Sequence, residues 1–225
     1  MSARGALARR RRTLALVFLQ KLIEGEAGGR WVIDESPGKE ATLSRRTTAY
    51  FGWAEDDESF RVFAQRLIHG EDWQPDRDHM RRAFEIAQIP EIADCPFIAG
   101  AIDYANPCDT YLIHCLADAV LDERLREGPL APNETDEIAH NLRTALDVFH
   151  GLGLVHGDVR EDNVLLIGGV WKLGDLGSVV EVGKPIELLS RNRDYVPDGI
   201  DFGSPATAEI DEYALAVMIS HFAAT

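Results

Sequence analysis

The feature that most constrains the fold is the stretch of residues 154–177, which reads LVHGDVREDNVLLIGGVWKLGDLG. It contains two short apolar segments, Val164–Ile167 and Val170–Leu173, and only Gly168–Gly169 separates them. Consecutive glycines favour a two-residue turn, because such turns need positive φ angles that glycine adopts without steric cost. The sequence therefore predicts a tight β-hairpin at this place in the chain.

Polar side chains lie at both ends of the predicted hairpin. Asn163 precedes its first strand, Asp175 follows its second strand, and Asp158 lies on the loop just before. A hairpin places its ends side by side, so Asn163 and Asp175 should come close together. Carboxylate and carboxamide oxygens are the ligands that a hard cation such as Mg²⁺ prefers. We therefore predict a magnesium site at the open end of the hairpin.

The overall composition limits the compartment and the partners. The chain has 225 residues, enough for one large domain or two small lobes. Its 38 acidic and 23 basic residues give a formal net charge of -15, which disfavours nucleic acid and anionic membranes as main partners. Cys95, Cys108 and Cys115 show no metal-ligand spacing. We therefore expect no disulfide framework and a reducing, cytoplasmic compartment.

Residues 1–29 differ from the rest of the chain. A basic run, Arg9–Arg12, is followed by the apolar sequence TLALVFLQKLI, which is too short to span a bilayer. We predict a short helix with a basic arm that packs on the next domain or binds a partner. Contact with a membrane surface is the alternative interpretation of this segment.

The pattern of apolar residues predicts strands in the first half of the chain and helices in the second. The predicted strands are Arg30–Asp34, Thr47–Trp53, Phe60–Ile68, Phe97–Tyr104 and Thr110–Leu116, with a helix over residues 75–89 between the third and fourth. The later predicted helices are Val120–Arg126, a long one that Asn133 caps and that ends near His150, and a last one that ends at Phe222.

The sequence HGDVREDN followed by GDLG resembles the catalytic loop and the metal-binding loop of the protein-kinase family, usually written H-R-D-L-x-x-x-N and D-F-G. Five positions carry the resemblance, namely His156, Asp158, Asn163, Asp175 and Gly177. The chain resembles a divergent and C-terminally short member of the bacterial Ser/Thr kinase type.

The resemblance implies an α+β, bilobal, protein kinase-like fold. Its small N-lobe would be rich in β-strands, and its mainly helical C-lobe would be truncated after the long core helix. On this basis we expect an N-terminal arm over residues 1–29, an N-lobe over residues 30–116 and a shortened C-lobe over residues 117–225.

The resemblance also implies roles for residues of the C-lobe. Asp158 would orient and deprotonate the hydroxyl that accepts the phosphoryl group, and Arg160 would contact the γ-phosphate of ATP. Asn163 and Asp175 would hold Mg²⁺. His156 would brace the loop, and so would Asp211, which matches the helix aspartate that braces the catalytic-loop backbone in the family.

In the N-lobe, the implied ATP-binding residues depart from the family pattern. Arg66 occupies the position of the lysine that holds the α- and β-phosphates, and Glu85 would pair with it. Gly38 is the one glycine of a loop that usually has three, where Lys39 could compensate by charge. The backbone of His114–Leu116 would bind the adenine.

Three functions follow from these observations and remain open. The first is ATP- and Mg²⁺-dependent phosphoryl transfer to a Ser or Thr hydroxyl of a protein. The second is a pseudokinase that binds nucleotide or acts as a scaffold, favoured by Arg66 and the glycine-poor loop. The third is a small-molecule phosphotransferase of the aminoglycoside-kinase type, which shares the H-G-D sequence but usually has histidine at the position of Arg160.

The last predicted helix suggests a partner beyond the protein substrate. Its apolar stripe is expected to face water unless something covers it. As partners we expect a protein substrate or a regulatory protein. We expect a homodimer mate, another partner or the N-terminal helix to cover residues 210–222, unless the chain is a fragment of a longer protein. The stripe comprises Ile210, Ala214, Val217, Met218 and Phe222.

Overall fold

The computed structural model describes residues 20–36, 41–42, 47–67, 74–106, 109–187 and 192–222. The strands are β1 (Gln20–Glu24), β2 (Arg30–Asp34), β3 (Ala41–Thr42), β4 (Thr47–Ala54), β5 (Asp57–Leu67), β6 (Ile98–Ala99), β7 (Asp103–Ala105), β8 (Thr110–Cys115), β9 (Ala119–Val120), β10 (Leu154–Val155), β11 (Val164–Ile167), β12 (Val170–Gly174) and β13 (Val180–Glu181). The helices are α1 (Gln74–Ala87), α2 (Pro90–Ala93), α3 (Leu121–Arg126), α4 (Pro132–Gly151) and α5 (Ala208–Phe222).

The chain divides into two compact units. The first consists of residues up to Arg81 together with Ile102–Leu116, and the second consists of Arg82–Ala101 and the residues from Ala117 onward. The first unit is built from β-strands, and the second contains most of the helices. This is the α+β composition that the sequence predicts, while the lobe limits at residues 30, 116 and 117 stay a prediction.

The first unit is one antiparallel sheet with the strand order β1-β2-β4-β5-β8-β7, and β3 pairs with β4 at its side. The sheet buries one continuous apolar cluster, because alternate residues of a strand point to the same face. The buried cluster comprises Ile23, Trp31, Ile33, Val62, Ala64, Ala105, Tyr111 and Ile113.

Strand β1 corrects the expectation of an N-terminal helix. The last residues of the apolar run, Gln20–Glu24, form a strand that pairs with β2 in the register Leu22↔Val32. Ile23 is almost completely buried in the sheet core while its neighbours in sequence are more exposed. Pairing with β2 therefore decides the conformation, since short apolar segments fit a strand or a helix equally well by pattern alone. The basic run and residues 1–19 lie outside the described residues.

The turn between β1 and β2 is bonded to β7 at the other edge of the sheet. Glu26 N donates a hydrogen bond to Tyr104 O over 2.8 Å. The buried Asp103 carboxylate accepts hydrogen bonds from Ala27 N at 2.9 Å and from Gly29 N at 3.1 Å. A Cβ atom on Gly25 would lie 2.0 Å from this carboxylate, so the close approach requires glycine there. The turn thereby joins both edges of the sheet.

The second unit is organised around helix α4. Its buried stripe contains the five residues that the sequence predicts, Ile138, Leu142, Ala145, Leu146 and Phe149. The helix packs on β12, β10 and α5, and the side chain of Asn141 donates to Trp171 O over 3.2 Å. Asn133 is not the N-cap: Ala131 holds that position, because Pro132 is the first helical residue, where its missing N–H costs nothing.

The predicted hairpin is confirmed in the second unit. Strands β11 and β12 pair in the register Val164↔Leu173, and the turn residues Gly168 and Gly169 have φ angles of 59° and 80°. The hairpin lies in a four-stranded sheet with the order β6-β12-β11-β9. The strand predicted over Phe97–Tyr104 is split, since β6 belongs to this sheet and β7 to that of the first unit.

Helix α5 corrects the expectation that its apolar stripe faces water. Ile210, Ala214, Met218 and Phe222 are all buried within the chain itself. The helix packs on α4, β10 and the 3-10 turn Arg193–Tyr195. The reason for expecting a partner on residues 210–222 therefore falls away for these side chains. Among the described residues, no helix combines the length and the apolar character needed to cross a membrane.

Candidate active site

The loop after β10 carries the predicted catalytic aspartate, and His156 fixes its shape. The imidazole is fully buried, and its Nε2 lies 2.9 Å from Gly174 O. Its Nδ1 accepts a hydrogen bond from Asp158 N at 3.3 Å. Nε2 therefore carries the proton, since a carbonyl oxygen can only accept. The predicted bracing role of His156 is confirmed by these contacts.

Asp211 of helix α5 holds the same loop by hydrogen bonds to its backbone. Its buried carboxylate accepts hydrogen bonds from His156 N and Gly157 N, both at 2.8 Å. His150 Nε2 lies 2.9 Å from Asp211 Oδ2, and this hydrogen bond raises the pKa of His150 above its usual value. Asp211 thus braces the loop as predicted, and the pairing with His150 in the last turn of α4 adds a third hydrogen bond.

Asn163 and Asp158 are in direct contact. The Asn163 side-chain nitrogen donates to Asp158 O at 2.8 Å and to Asp158 Oδ2 at 2.9 Å. Arg160 Nε lies 3.5 Å from the same Oδ2, and its guanidinium pairs with Asp162 at 2.8 Å. Asp158 Oδ1 is shielded from solvent and has no hydrogen-bond partner among the described residues. The carboxylate is therefore fixed through Oδ2, while the hydrogen-bonding capacity of Oδ1 is unused among the described residues.

The hairpin register brings Asp175 to the same end as Asn163. Because Val164 pairs with Leu173, Asn163 lies opposite Gly174, which directly precedes Asp175. Asp175 is solvent-exposed and has φ 56°, the one positive φ angle of a non-glycine residue among those described. Its Oδ1 accepts a hydrogen bond from Gly177 N at 3.3 Å. A left-handed backbone at a residue other than glycine is costly, and such residues cluster at functional sites.

The donor set at the hairpin suits Mg²⁺ with few protein ligands. Within the described ranges, no group of three or more His, Cys, Asp and Glu side chains could hold a metal by itself. Mg²⁺ does not need one, because it usually binds one or two carboxylates and completes its shell with water and substrate phosphates. The exposed Asp175 carboxylate and the Asn163 carboxamide oxygen fit that pattern.

A cluster that the sequence did not reveal anchors the turn next to Asn163. The Tyr195 hydroxyl donates to Glu161, and His221 Nδ1 lies 3.0 Å from Glu161 and 3.1 Å from the Tyr195 oxygen. Burial and the hydrogen bond to Glu161 raise the pKa of Tyr195. Glu161 belongs to the 3-10 turn that contains Asn163. The cluster therefore ties this turn to the end of α5 and to residues 193–195.

In the first unit, Arg66 lies in a network of charged residues. Its guanidinium lies 3.3 Å from Asp109 and 3.6 Å from Glu35. Lys21 Nζ donates to Asp109 over 2.5 Å, and the Tyr111 hydroxyl donates to Glu35 over 2.5 Å. Sequence reasoning missed these four partners, because they come from three separate segments and no motif contains them.

The structure gives the positions of three further residues that were predicted to bind ATP. Leu116 N donates to Arg61 O at 3.1 Å, and His114 lies opposite Phe63 in the ladder of β5 and β8. Glu85 is exposed on α1, in the part of that helix that belongs to the second unit. Its pairing with Arg66 and the binding of adenine at His114–Leu116 stay predictions. Gly38 and Lys39 lie outside the described residues.

Comparison with known proteins supports the resemblance. The model of the protein kinase domain family matches residues 55–225. A Wee1-like protein kinase of Oryza sativa subsp. japonica is 32% identical over 72 residues, which cover 32% of this chain and 14% of that protein. A probable serine/threonine-protein kinase, PknB, of Lactococcus lactis subsp. lactis is 26% identical over 148 residues, which cover 62% of this chain and 23% of that protein.

The matched segments span less than a quarter of the length of these curated relatives. The family match itself covers most of the chain and includes the Asp158 loop, the hairpin and the Asp211 helix. Together with the braced loop and the confirmed hairpin, this match shows that the chain belongs to the protein kinase family.

Proposed function

We propose that the chain transfers a phosphoryl group from ATP, in the presence of Mg²⁺, to a serine or threonine hydroxyl of a protein substrate. The observation that carries the proposal is the arrangement of the Asp158 carboxylate. Asn163 donates a hydrogen bond to Oδ2 and Arg160 Nε lies 3.5 Å from it, whereas Oδ1 is shielded and has no partner among the described residues. An oxygen in that state is available to accept a hydrogen bond from a substrate hydroxyl.

Each residue of the loop then has a definite role. Asp158 orients the acceptor hydroxyl and takes its proton as the oxygen attacks phosphorus. Arg160, which follows two residues later, contributes positive charge beside Asp158 for the transferred phosphoryl group. Asn163 and Asp175 are the protein ligands of Mg²⁺, which when bound neutralises phosphate charge. Phosphoryl transfer depends mainly on such positioning and electrostatic stabilisation.

Two observations support the choice of substrate and compartment. Arg160 occupies the position at which Ser/Thr kinases have a lysine, and one relative carries the name of a serine/threonine-protein kinase. Cys95 and Cys115 form no disulfide bond with another described residue, which fits a reducing, cytoplasmic setting. The partner we propose is therefore a protein substrate or a regulatory protein.

A pseudokinase is the second candidate, and the first unit favours it. Arg66 is engaged with Glu35 and Asp109, and the Leu116 amide already donates to Arg61. Both groups would have to change partners before they could meet a nucleotide. A domain that keeps its catalytic loop but binds ATP weakly would act by contact with other proteins.

Thermal unfolding with ATP, in the presence and absence of Mg²⁺, separates these two candidates. A ligand that binds only the folded chain stabilises it by about 2.7 kcal/mol at a hundredfold excess over its dissociation constant. We expect a Mg²⁺-dependent rise in the unfolding temperature, which Asp175→Asn should abolish without unfolding the chain, because asparagine tolerates a positive φ angle. The absence of any shift would favour the pseudokinase.

Transfer of labelled phosphate to a generic protein substrate tests the catalytic assignment. We expect Asp158→Ala to lower the rate roughly 10²–10⁴-fold, the usual contribution of a general base, while ATP still stabilises the variant. Asp136→Ala is the matched control, since Asp136 is an exposed aspartate on α4. An Asp158→Ala variant that keeps the wild-type rate would disprove the assignment.

A further inference from the structure

The polar contacts in the network around Arg66 differ in length, and the contacts of Arg66 with the carboxylates are the longest. The guanidinium lies 3.3 Å from Asp109 and 3.6 Å from Glu35, and it also forms a hydrogen bond with the Tyr50 side chain. Its Nε is shielded from solvent and has no hydrogen-bond partner among the described residues. An arginine with well-formed carboxylate contacts usually has N–O distances of about 2.7–2.9 Å.

Each carboxylate that contacts Arg66 has a closer partner elsewhere. Lys21 Nζ lies 2.5 Å from Asp109 Oδ2, and Arg66 contacts the other oxygen of that carboxylate. The Tyr111 hydroxyl donates to Glu35 Oε1 over 2.5 Å. Lys21 also donates to the Tyr111 oxygen at 3.0 Å and so links the two pairs. Neither carboxylate would lose its last partner if the guanidinium moved away.

We infer that Arg66 is an exchangeable cation, and that Lys21 and Tyr111 are positioning residues which keep Asp109 and Glu35 in place when Arg66 binds a nucleotide phosphate. The inference rests on the proposed function and adds residues to it. Asp109 and Glu35 are half-buried, and a half-buried carboxylate that loses all its protein partners is destabilised, so Lys21 and Tyr111 lower the cost at which phosphate captures Arg66.

The pKa shifts of Asp109 and Tyr111 agree with the positioning roles of Lys21 and Tyr111. Burial raises the pKa of Asp109, but the hydrogen bond from Lys21 and then the charge of Arg66 outweigh it, so the net pKa is lowered. Burial and then the hydrogen bond to Glu35 raise the pKa of Tyr111, which keeps its proton on the hydroxyl as a donor. Asp109 and Glu35 therefore remain anchored by groups that do not take part in phosphate binding.

A charge-neutral substitution separates partner exchange from a general field effect. Tyr111→Phe removes the closer partner of Glu35 without changing any charge. If Lys21 and Asp109 act on the phosphate only through their charges, this substitution should leave the affinity for ATP unchanged. We expect the affinity for ATP with Mg²⁺, measured by calorimetry on the full chain, to fall about threefold to tenfold. Tyr104→Phe is the matched control, because Tyr104 lies on β7 of the same sheet and its ring contacts Arg81 of helix α1.

Substitution of Lys21, the charged positioning residue, gives a second measurement. Lys21→Met should weaken ATP binding about fivefold, and Asp109→Asn should strengthen it by releasing Arg66. In the Asp109→Asn background, Lys21→Met should change the affinity less than about twofold, since Lys21 then has no carboxylate to retain. Additive effects of the two substitutions would instead indicate direct attraction between Lys21 and phosphate, and would overturn the inference.

The outcomes separate this inference from the proposed function. If the wild-type chain binds ATP and Tyr111→Phe binds it equally well, the exchange is disproved and the phosphotransfer proposal stands. If the wild-type chain does not bind ATP but Asp109→Asn does, Asp109 restrains Arg66 in the wild type, so the exchange is disproved while the nucleotide site stands. If neither binds, both the exchange and the nucleotide site are wrong.

Discussion

Asp103 in the first unit and Asp211 in the second use the same chemistry for different ends. Both carboxylates are 0% exposed, and both collect N–H groups of the backbone. Asp103 receives the amides of Ala27, Gly29 and Tyr104 and the indole N–H of Trp31, whereas Asp211 receives the amides of His156 and Gly157 and the ring of His150.

The difference lies in what each carboxylate holds. Asp103 joins the two edges of a sheet, and none of its donors belongs to a residue with a proposed catalytic role. Asp211 holds the loop that presents Asp158, so the same kind of hydrogen bond there supports both stability and catalytic geometry. A buried carboxylate therefore does not by itself mark a catalytic site, and its partners decide what it contributes.

The largest expected effect belongs to Asp211→Asn. The carboxamide can accept from only one side, so at least one amide of the loop loses its acceptor and the free energy of unfolding falls by about 3 kcal/mol. Displacement of Asp158 should also lower the rate of phosphotransfer by up to about 10²-fold. Urea unfolding and the rate measured on the folded fraction test both effects. If Asp211→Asn lowers stability but leaves the rate unchanged, Asp211 contributes to stability alone, as Asp103 does.

Asp103→Asn should lower stability by about 2 kcal/mol, since all its donors are neutral and two of their N–H groups would face the new amide N–H in either orientation. We expect no change in the phosphotransfer rate below the unfolding temperature, because the hydrogen-bond donors described for Asp103 all belong to the first unit. The same urea and rate measurements apply. A rate that falls together with stability would show that the closed sheet also affects catalysis.

Tyr195→Phe should cost about 1 kcal/mol of unfolding free energy, the usual contribution of one hydrogen bond. The substitution removes the donor to Glu161 and loosens the turn that contains Asn163. Tyr213→Phe on the same unit is the control, because Tyr213 is 42% exposed. Equal urea midpoints for the two variants would contradict an anchoring role for Tyr195.

The smallest effect depends on pH and comes from His150. Its pKa is raised above 6.5 by the hydrogen bond to Asp211, so its contribution is complete below pH 6.5 and is lost as the pH rises through the raised value. We expect His150→Gln to cost up to about 1 kcal/mol at pH 6 and less at pH 8.5. His140→Gln, on an exposed position of the same helix, is the control. A cost that does not vary with pH would exclude protonated His150 as the partner of Asp211.

The parts of the structure that the sequence predicted are local. The hairpin followed from two glycines between apolar segments, and its register brings Asn163 and Asp175 to the same end, as expected. The buried stripe of α4 followed from helical periodicity. The bracing by Asp211 is a long-range contact, and only the family resemblance predicted it.

The parts that the sequence did not predict depend on distant partners. The apolar run that ends at Ile23 fits a helix by pattern, and only pairing with β2 makes its last residues a strand. The apolar stripe of α5 indicates an interface by pattern alone, but α4 and the turn at Tyr195 cover it within the chain. In each case the deciding partner lies far away in sequence or has no motif of its own.

The sequence by itself determined the protein kinase family, the Asp158 loop, the hairpin and the helical stripe of α4, because the motif residues and periodicities are contiguous or closely spaced. The tertiary structure alone decided that Asp103 closes the first sheet, that Lys21 and Tyr111 share the carboxylates of Arg66, and that Tyr195 and His221 hold Glu161. These contacts join residues 26 to 90 positions apart, and no local pattern specifies which of many equivalent charged and polar side chains will meet.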